Sequence, residues 1–110
     1  MREWKSRLGL KDWHAEMDFK PLDAMPNMAT NTVTYERRHC RIELRWPHLD
    51  STGKPDDIEQ TIVHELLHCW FDPWYPRDPI RQRHRTLVLE NAVEAIATAL
   101  VEAKRSSVPK

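Results

Sequence analysis

The chain has 110 residues, and its 17 basic and 17 acidic side chains leave no formal net charge. This length fits one small domain over residues 1–110. The balanced charge argues against nucleic-acid binding as the main activity, although a local basic patch remains compatible with it. The amino terminus lacks the apolar segment of a signal peptide, and no stretch reaches the roughly 18 apolar residues of a membrane span, so we expect a cytoplasmic protein.

The first part of the chain predicts a short helix and three strands. Residues 2–9 fit a helix that a glycine ends. Residues 12–19 alternate apolar and polar side chains, as a half-buried strand does, and residues 30–36 are rich in strand-forming side chains. Residues 40–46 alternate most clearly and carry a charged outer face. Because this face is charged and Pro47 follows it, we expect the third strand at the edge of the sheet.

Three side chains elsewhere in the chain, one histidine and two cysteines, could in principle bind a metal ion or form a disulfide. His14 lies on the polar face of the first strand, where we expect a solvated residue rather than a metal ligand. Cys40 and Cys69 lie far apart in sequence and form no Cys-x-x-Cys pattern, which favours reduced thiols over a disulfide. Cys69 falls on the apolar side of its helix, so we expect it in the core.

The most informative stretch is the motif His64-Glu65-Leu66-Leu67-His68, on a helix that we expect to begin at Pro55. Residues four apart lie on one face of a helix, so His64 and His68 can direct two imidazoles at one zinc ion. Glu65 can reach a water molecule beside that ion and act as general base. The apolar side chains lie on the opposite face, so that face can pack. The alternative is an amphipathic helix with two solvated histidines.

After the motif, the prolines between 72 and 79 predict a loop from 72 to about 82. A final helix is predicted over 83–105, followed by a frayed tail at 106–110. This helix buries one apolar arc, and basic residues suit its carboxyl end. We see no repeat, linker or second domain.

A catalytic zinc site needs a third protein ligand. The candidates after the motif are Asp72, Asp78, His84, Glu90, Glu94 and Glu102. Asp72 precedes a proline, which disfavours the helical conformation it would need. Glu90 and Glu94 lie four apart on the last helix, where two like charges repel unless a cation is near. We therefore assign Glu90 to the metal and Glu94 to a hydrogen bond with an imidazole N–H. The alternative is that both glutamates are solvated.

With Glu90 and Glu94 on a helix after the motif, the sequence resembles the gluzincin branch of zinc metallopeptidases. It also resembles the small single-domain zincin-like proteins of bacteria and phages, although glutamate stands at 94 where aspartate is common. The resemblance implies an α+β fold: a three-stranded sheet with an edge strand over the motif helix, and a carboxy-terminal helix that carries the third ligand. It implies one Zn²⁺ per chain, a peptide substrate along the edge strand, and a bacterial or phage-infected host cell.

The expected function is metal-assisted hydrolysis of a peptide bond in a peptide or protein substrate, with Glu65 as general base. Tyr75 or His84 could stabilise the oxyanion. One alternative is a structural zinc domain, whose site Asp72 or His84 would close as a fourth ligand. Another is a regulatory module that meets a DNA-bound protein through a basic segment. Its residues would be Arg77, Arg81, Arg83 and Arg85.

Overall fold

The computed structural model describes residues 1–21, 29–49, 52–74 and 79–107, and the side chains of 74–85 are not among the described parts. The chain is an α+β fold, as the sequence predicts. Among the described residues, its elements are α1 (Arg2–Arg7), β1 (His14–Pro21), β2 (Ala29–Thr34), β3 (His39–Trp46), α2 (Ile58–Phe71) and α3 (Pro79–Ser107), with two 3-10 turns at Tyr35–Arg37 and Asp72–Trp74. Within these ranges, no helix has the length and apolar character needed to cross a membrane.

The three strands form one sheet in the order β1-β3-β2. β3 pairs in parallel with β1 and antiparallel with β2, so it is the central strand. The prediction that residues 40–46 form the edge strand is therefore wrong. The charges that suggested an edge lie on the outer face of the sheet, where they pair with charges of β1. Arg41 contacts Asp18 at 2.5 Å, and Lys20 contacts Glu43 at 3.7 Å.

The inner face of the sheet packs on α2, α2 also packs on α3, and the buried side chains between these elements form the core. Cys40, Ile42 and Leu44 of β3 are completely buried. From the helices the core receives side chains at helical spacing, which are Val63, Leu66, Leu67, Cys69, Val93, Ala97 and Val101. The two cysteines are free and buried, as the sequence predicts. Burial of these apolar side chains is the main free-energy contribution that holds the sheet and the helices together.

Two helices begin at other residues than the sequence predicts. α2 begins at Ile58, because the Asp57 carboxylate caps it by accepting a hydrogen bond from the Gln60 N–H at 3.2 Å. Pro55 instead lies in an isolated β-bridge with Leu49. α3 begins at Pro79, so the loop predicted for 79–82 is helical, and a proline suits that first position. α3 also continues through 107, which shortens the predicted tail; residues 108–110 lie outside the described residues.

Three ion pairs join the amino end of α2 to the carboxyl end of α3. Arg105 Nη1 lies 2.8 Å from Asp57 Oδ2, Arg105 Nη2 lies 3.1 Å from Glu59 Oε1, and Lys104 Nζ contacts Glu59 Oε2. Each acidic residue lies at a helix amino terminus and each basic residue at a helix carboxyl terminus, so the pairs also suit the helix dipoles. The pairs fix α2 and α3 as antiparallel neighbours, and this arrangement brings their middle turns together.

Candidate metal centre

The middle turns of α2 and α3 bring together His64 and His68 with Glu90. Glu90 Oε2 lies 3.2 Å from His64 Nε2, and Glu90 Oε1 lies 3.2 Å from His68 Nε2. One carboxylate thus faces both imidazoles. The histidine side chains are 17% and 14% exposed, so a metal ion there would be shielded from most of the solvent but reachable.

The spacing of these atoms fits a tetrahedral metal ion. Zinc binds imidazole nitrogen and carboxylate oxygen at about 2.0–2.2 Å, which separates neighbouring ligand atoms by about 3.3–3.6 Å in a tetrahedron. The two observed separations of 3.2 Å are close to that edge length. All three residues can offer ligand atoms that lie within 4.8 Å of one another. The three side chains that the sequence predicts as ligands therefore form one group that can hold a metal ion.

Glu94 holds one imidazole from the side away from Glu90. Its Oε2 lies 2.5 Å from His64 Nδ1, and an ionised carboxylate can only accept, so Nδ1 donates. In neutral His64, Nε2 then presents a lone pair to the Glu90 oxygen at 3.2 Å. Two acceptors at this distance repel unless a second proton or a metal ion lies between them. The Glu94 contact thus holds His64 with Nε2 toward Glu90, in the way that such partners orient histidines in metal sites.

Sequence reasoning missed two residues that support Glu94. Gln60 Nε2 donates to Glu94 Oε1 at 2.6 Å and to Thr98 Oγ1 at 2.7 Å. Gln60 lies four residues before His64, and Thr98 lies four residues after Glu94. Spacing of four along each helix could have indicated both residues, because it places them on the faces that carry the site.

The surroundings of His68 favour its neutral form, which is the form that can bind a metal ion. Burial lowers its pKa, and this effect outweighs the opposing influence of the Glu90 carboxylate. The uncharged imidazole therefore dominates at neutral pH, and only this form binds a metal ion.

Glu65 is buried next to the group, with 8% of its surface exposed. Burial raises the pKa of Glu65 to about 7, and the Glu90 and Glu94 carboxylates add to the increase while His64 opposes it. A side chain of the sheet also holds the backbone of Glu65 in place, because Asn31 Nδ2 of β2 donates a hydrogen bond to the Glu65 carbonyl oxygen at 2.6 Å. Glu65 lines a cavity of about 360 Å³ together with His64, Glu90 and Glu94.

The other predicted site residues divide into two groups. Tyr75 lies outside the described residues, and His84 lies on α3 where side chains are not described, so their role at an oxyanion stays a prediction. The same holds for the arginines of the basic segment. Asp72 begins the 3-10 turn after α2 and is exposed, and Glu102 is exposed near the end of α3. Within the described residues, neither belongs to the group that can bind the metal.

Comparison of the chain with protein-family models, with curated proteins and with solved structures found no match. The resemblance to gluzincins therefore stays a prediction from the motif residues, and the function has to be argued from the site.

Proposed function

We propose that this protein is a zinc-dependent peptidase, in which His64, His68 and Glu90 hold the zinc ion and Glu65 is the general base. One observation carries the proposal: the Glu90 carboxylate faces both Nε2 atoms at 3.2 Å beside the cavity that the buried Glu65 carboxyl lines. Residues that could bind a metal ion and a carboxyl group suited to proton transfer thus line the same cavity.

The ligand set favours zinc and an open coordination position. Two imidazoles and one carboxylate are the ligands of many catalytic zinc sites, whereas magnesium and calcium prefer oxygen ligands alone. When bound, zinc lowers the pKa of a coordinated water to about 7 and polarises the substrate carbonyl. His64 and Glu90 both line the cavity, so water and substrate could reach an ion that these residues would hold.

Glu65 suits the proton transfers of amide hydrolysis. A general base works best when its pKa is near the working pH, and burial brings the pKa of Glu65 to about 7. A bound cation nearby would shift the balance toward the carboxylate form that accepts a proton. Glu65 would take the proton of the attacking water and deliver it to the leaving amine. A purely structural zinc site would have no use for a buried carboxyl beside the metal.

The strand that would bind the peptide is β2. Among the described residues, β2 has a strand partner on one side only, and its first residue, Ala29, lines the cavity. A substrate in extended conformation could add to the free edge through backbone hydrogen bonds. The sequence predicts residues 40–46 as the strand that binds the peptide, but β3 is the central strand and has partners on both sides. We therefore assign peptide binding to β2.

The charge of the cavity favours a basic residue in the substrate. Asp56 and Asp57 line the cavity in addition to the glutamates of the site. The pKa of Asp57 is lowered, first by its hydrogen bond with Arg105, so this carboxylate is ionised at neutral pH. Peptides with lysine or arginine near the cleaved bond are therefore expected to be cleaved faster than peptides with glutamate there. Asp56→Asn should reduce this preference.

The test separates metal binding from hydrolysis. We expect about one tightly held zinc ion per chain after gel filtration, lost in Glu90→Gln and His68→Ala. Glu102→Gln is the matched control, because it changes an exposed glutamate on the same helix outside the metal group. Glu65→Gln should keep the zinc while hydrolysis of a mixed peptide library falls by a factor of about 10²–10⁴.

Each alternative outcome has a distinct meaning. Wild-type protein that retains no tightly bound zinc would refute the proposal. Zinc that is held as tightly in Glu90→Gln as in the wild type would move the third ligand elsewhere. Zinc binding without any cleavage that depends on Glu65 would favour the structural domain.

A further inference from the structure

A second group of histidine and glutamate side chains lies on the outer face of the sheet. His14 and Glu16 are two residues apart on β1, so both point to the same face. β1 and β3 run parallel with His14 directly opposite His39. The two imidazole rings stack, with centroids 5.3 Å apart and an interplanar angle of 19°. The pairing of the strands therefore brings together two histidines that are far apart in sequence.

Glu16 faces both imidazoles of this pair. Its Oε1 lies 3.3 Å from His14 Nε2, and its Oε2 lies 3.6 Å from His39 Nε2. The three residues can offer ligand atoms that are all within 4.8 Å of one another. In a tetrahedral zinc site such atoms are separated by about 3.3–3.6 Å. The arrangement thus repeats that of the first group, where one carboxylate also faces two Nε2 atoms.

We propose that His14, Glu16 and His39 form a second binding site for a divalent transition-metal ion, separate from the site of His64, His68 and Glu90. Imidazole and carboxylate ligands suit Zn²⁺ and also Cu²⁺ or Ni²⁺. The proposal does not depend on the peptidase function, because it rests on other residues and on another face of the molecule.

The surroundings leave Glu16 available to the two histidines. Arg41 is its partner across the strands, but the Arg41 guanidinium bonds to Asp18 at 2.5 Å. The ligands stand on paired strands, so the ion would not have to order a loop when it binds. The side chains of His14, Glu16 and His39 are 70%, 45% and 34% exposed, so water could reach an ion that they would hold.

The second site should bind zinc more weakly than the first. At the first site the Glu94 carboxylate holds His64 Nδ1, whereas no contact of that kind is described for the Nδ1 atoms of His14 and His39 in the ranges that the structure covers. Partners of this kind typically strengthen metal binding by about 10- to 100-fold. We therefore expect one tight and one weaker event in a zinc titration.

The experiment is a calorimetric titration of the metal-free full chain with zinc chloride. Wild-type protein should bind two zinc ions, and Glu90→Gln should retain only the weaker event. In His14→Ala and His39→Ala the weaker event should lose at least about tenfold in affinity, while the tight event is unchanged. Glu16→Gln should weaken it as well. Glu43→Gln is the matched control, since Glu43 lies on the same face of the sheet and pairs with Lys20 instead.

A second measurement, by NMR, shows which histidines are responsible for the weaker zinc-binding event. In Glu90→Gln protein, zinc should shift the imidazole NMR signals of His14 and His39 before those of any other histidine. A wild-type titration in which no event depends on His14 and His39, or a weaker event that persists unchanged in both histidine variants, would overturn the proposal. If instead the tight event is missing and the weaker one follows His14 and His39, the peptidase site fails and the second site stands.

Discussion

The hydrogen bond between Glu94 and His64 allows a graded test of how the metal centre is built. Glu94 Oε2 lies 2.5 Å from His64 Nδ1, and Glu94 Oε1 accepts from Gln60 at 2.6 Å. Glu94→Ala removes both contacts, so His64 loses the acceptor that sets its tautomer and ring position. Glu94→Gln keeps an oxygen that can accept from Nδ1 but removes the charge. Thr98→Val removes only the second acceptor of Gln60.

These contacts set the order of the expected effects on zinc affinity. Losing a partner of a metal-bound imidazole costs about 10- to 100-fold in affinity, or about 1.4–2.7 kcal/mol. Glu94→Ala should lie near the upper end of this range, because a charge-assisted hydrogen bond is lost and about half of the Glu94 side chain is shielded from solvent. Glu94→Gln should lie near the lower end, and Thr98→Val should cost less than about threefold.

The assay is competition for zinc with a chromogenic chelator at neutral pH. Glu102→Ala serves as the control, because it removes an exposed glutamate from the same helix without touching the metal group. If Glu94→Ala binds zinc as tightly as Glu102→Ala does, the orienting role of Glu94 is refuted. If Glu94→Ala abolishes binding while Glu90→Ala retains it, Glu94 and not Glu90 is the third ligand.

Three further predictions concern the fold. The hydrogen bond with Arg105 is the chief cause that lowers the pKa of Asp57. The ionised Asp57 carboxylate therefore stabilises the fold fully above about pH 4, and this contribution is lost as the pH falls through the folded-state pKa. Asp57→Asn should lower the urea midpoint at pH 7 but change it much less at pH 2. Leu66 is fully buried, and Leu66→Ala should lower the free energy of unfolding by about 2–5 kcal/mol in urea titration; a loss below 1 kcal/mol would contradict the core described above. Cys40 and Cys69 are both completely buried, so both thiols should react with a thiol reagent only after unfolding, and rapid reaction of the folded protein would refute this.

The local pattern of the sequence was enough to predict which side chains form the candidate metal centre. The four-residue spacing of His64 and His68, and of Glu90 and Glu94, places each pair on one face of its helix, whatever the rest of the chain does. The apolar residues of α2 lie on the other face, so that face has to pack. Helix periodicity is a local property of the chain, which explains why these assignments hold together in the structure.

Other features depend on contacts between distant parts of the chain. A charged outer face is common to edge and central strands of a sheet that packs on one side only, so the alternation in residues 40–46 could not show that β3 is central. The start of α2 depends on whether Pro55 joins the helix or pairs with Leu49, and the structure has the pairing. The sequence could therefore indicate which elements form, but not their neighbours or their exact ends.

The two groups of histidine and glutamate side chains show this division most clearly. His64 and His68 are brought together by one helix, so the sequence by itself determined that they share a face. His14 and His39 meet only because β1 and β3 pair in parallel with these residues in register, so the sequence did not indicate their contact; His14 is 70% exposed, as expected of a solvated strand residue. Helix geometry is set by hydrogen bonds between near neighbours in the chain, whereas strand register is decided by packing between segments that the sequence separates.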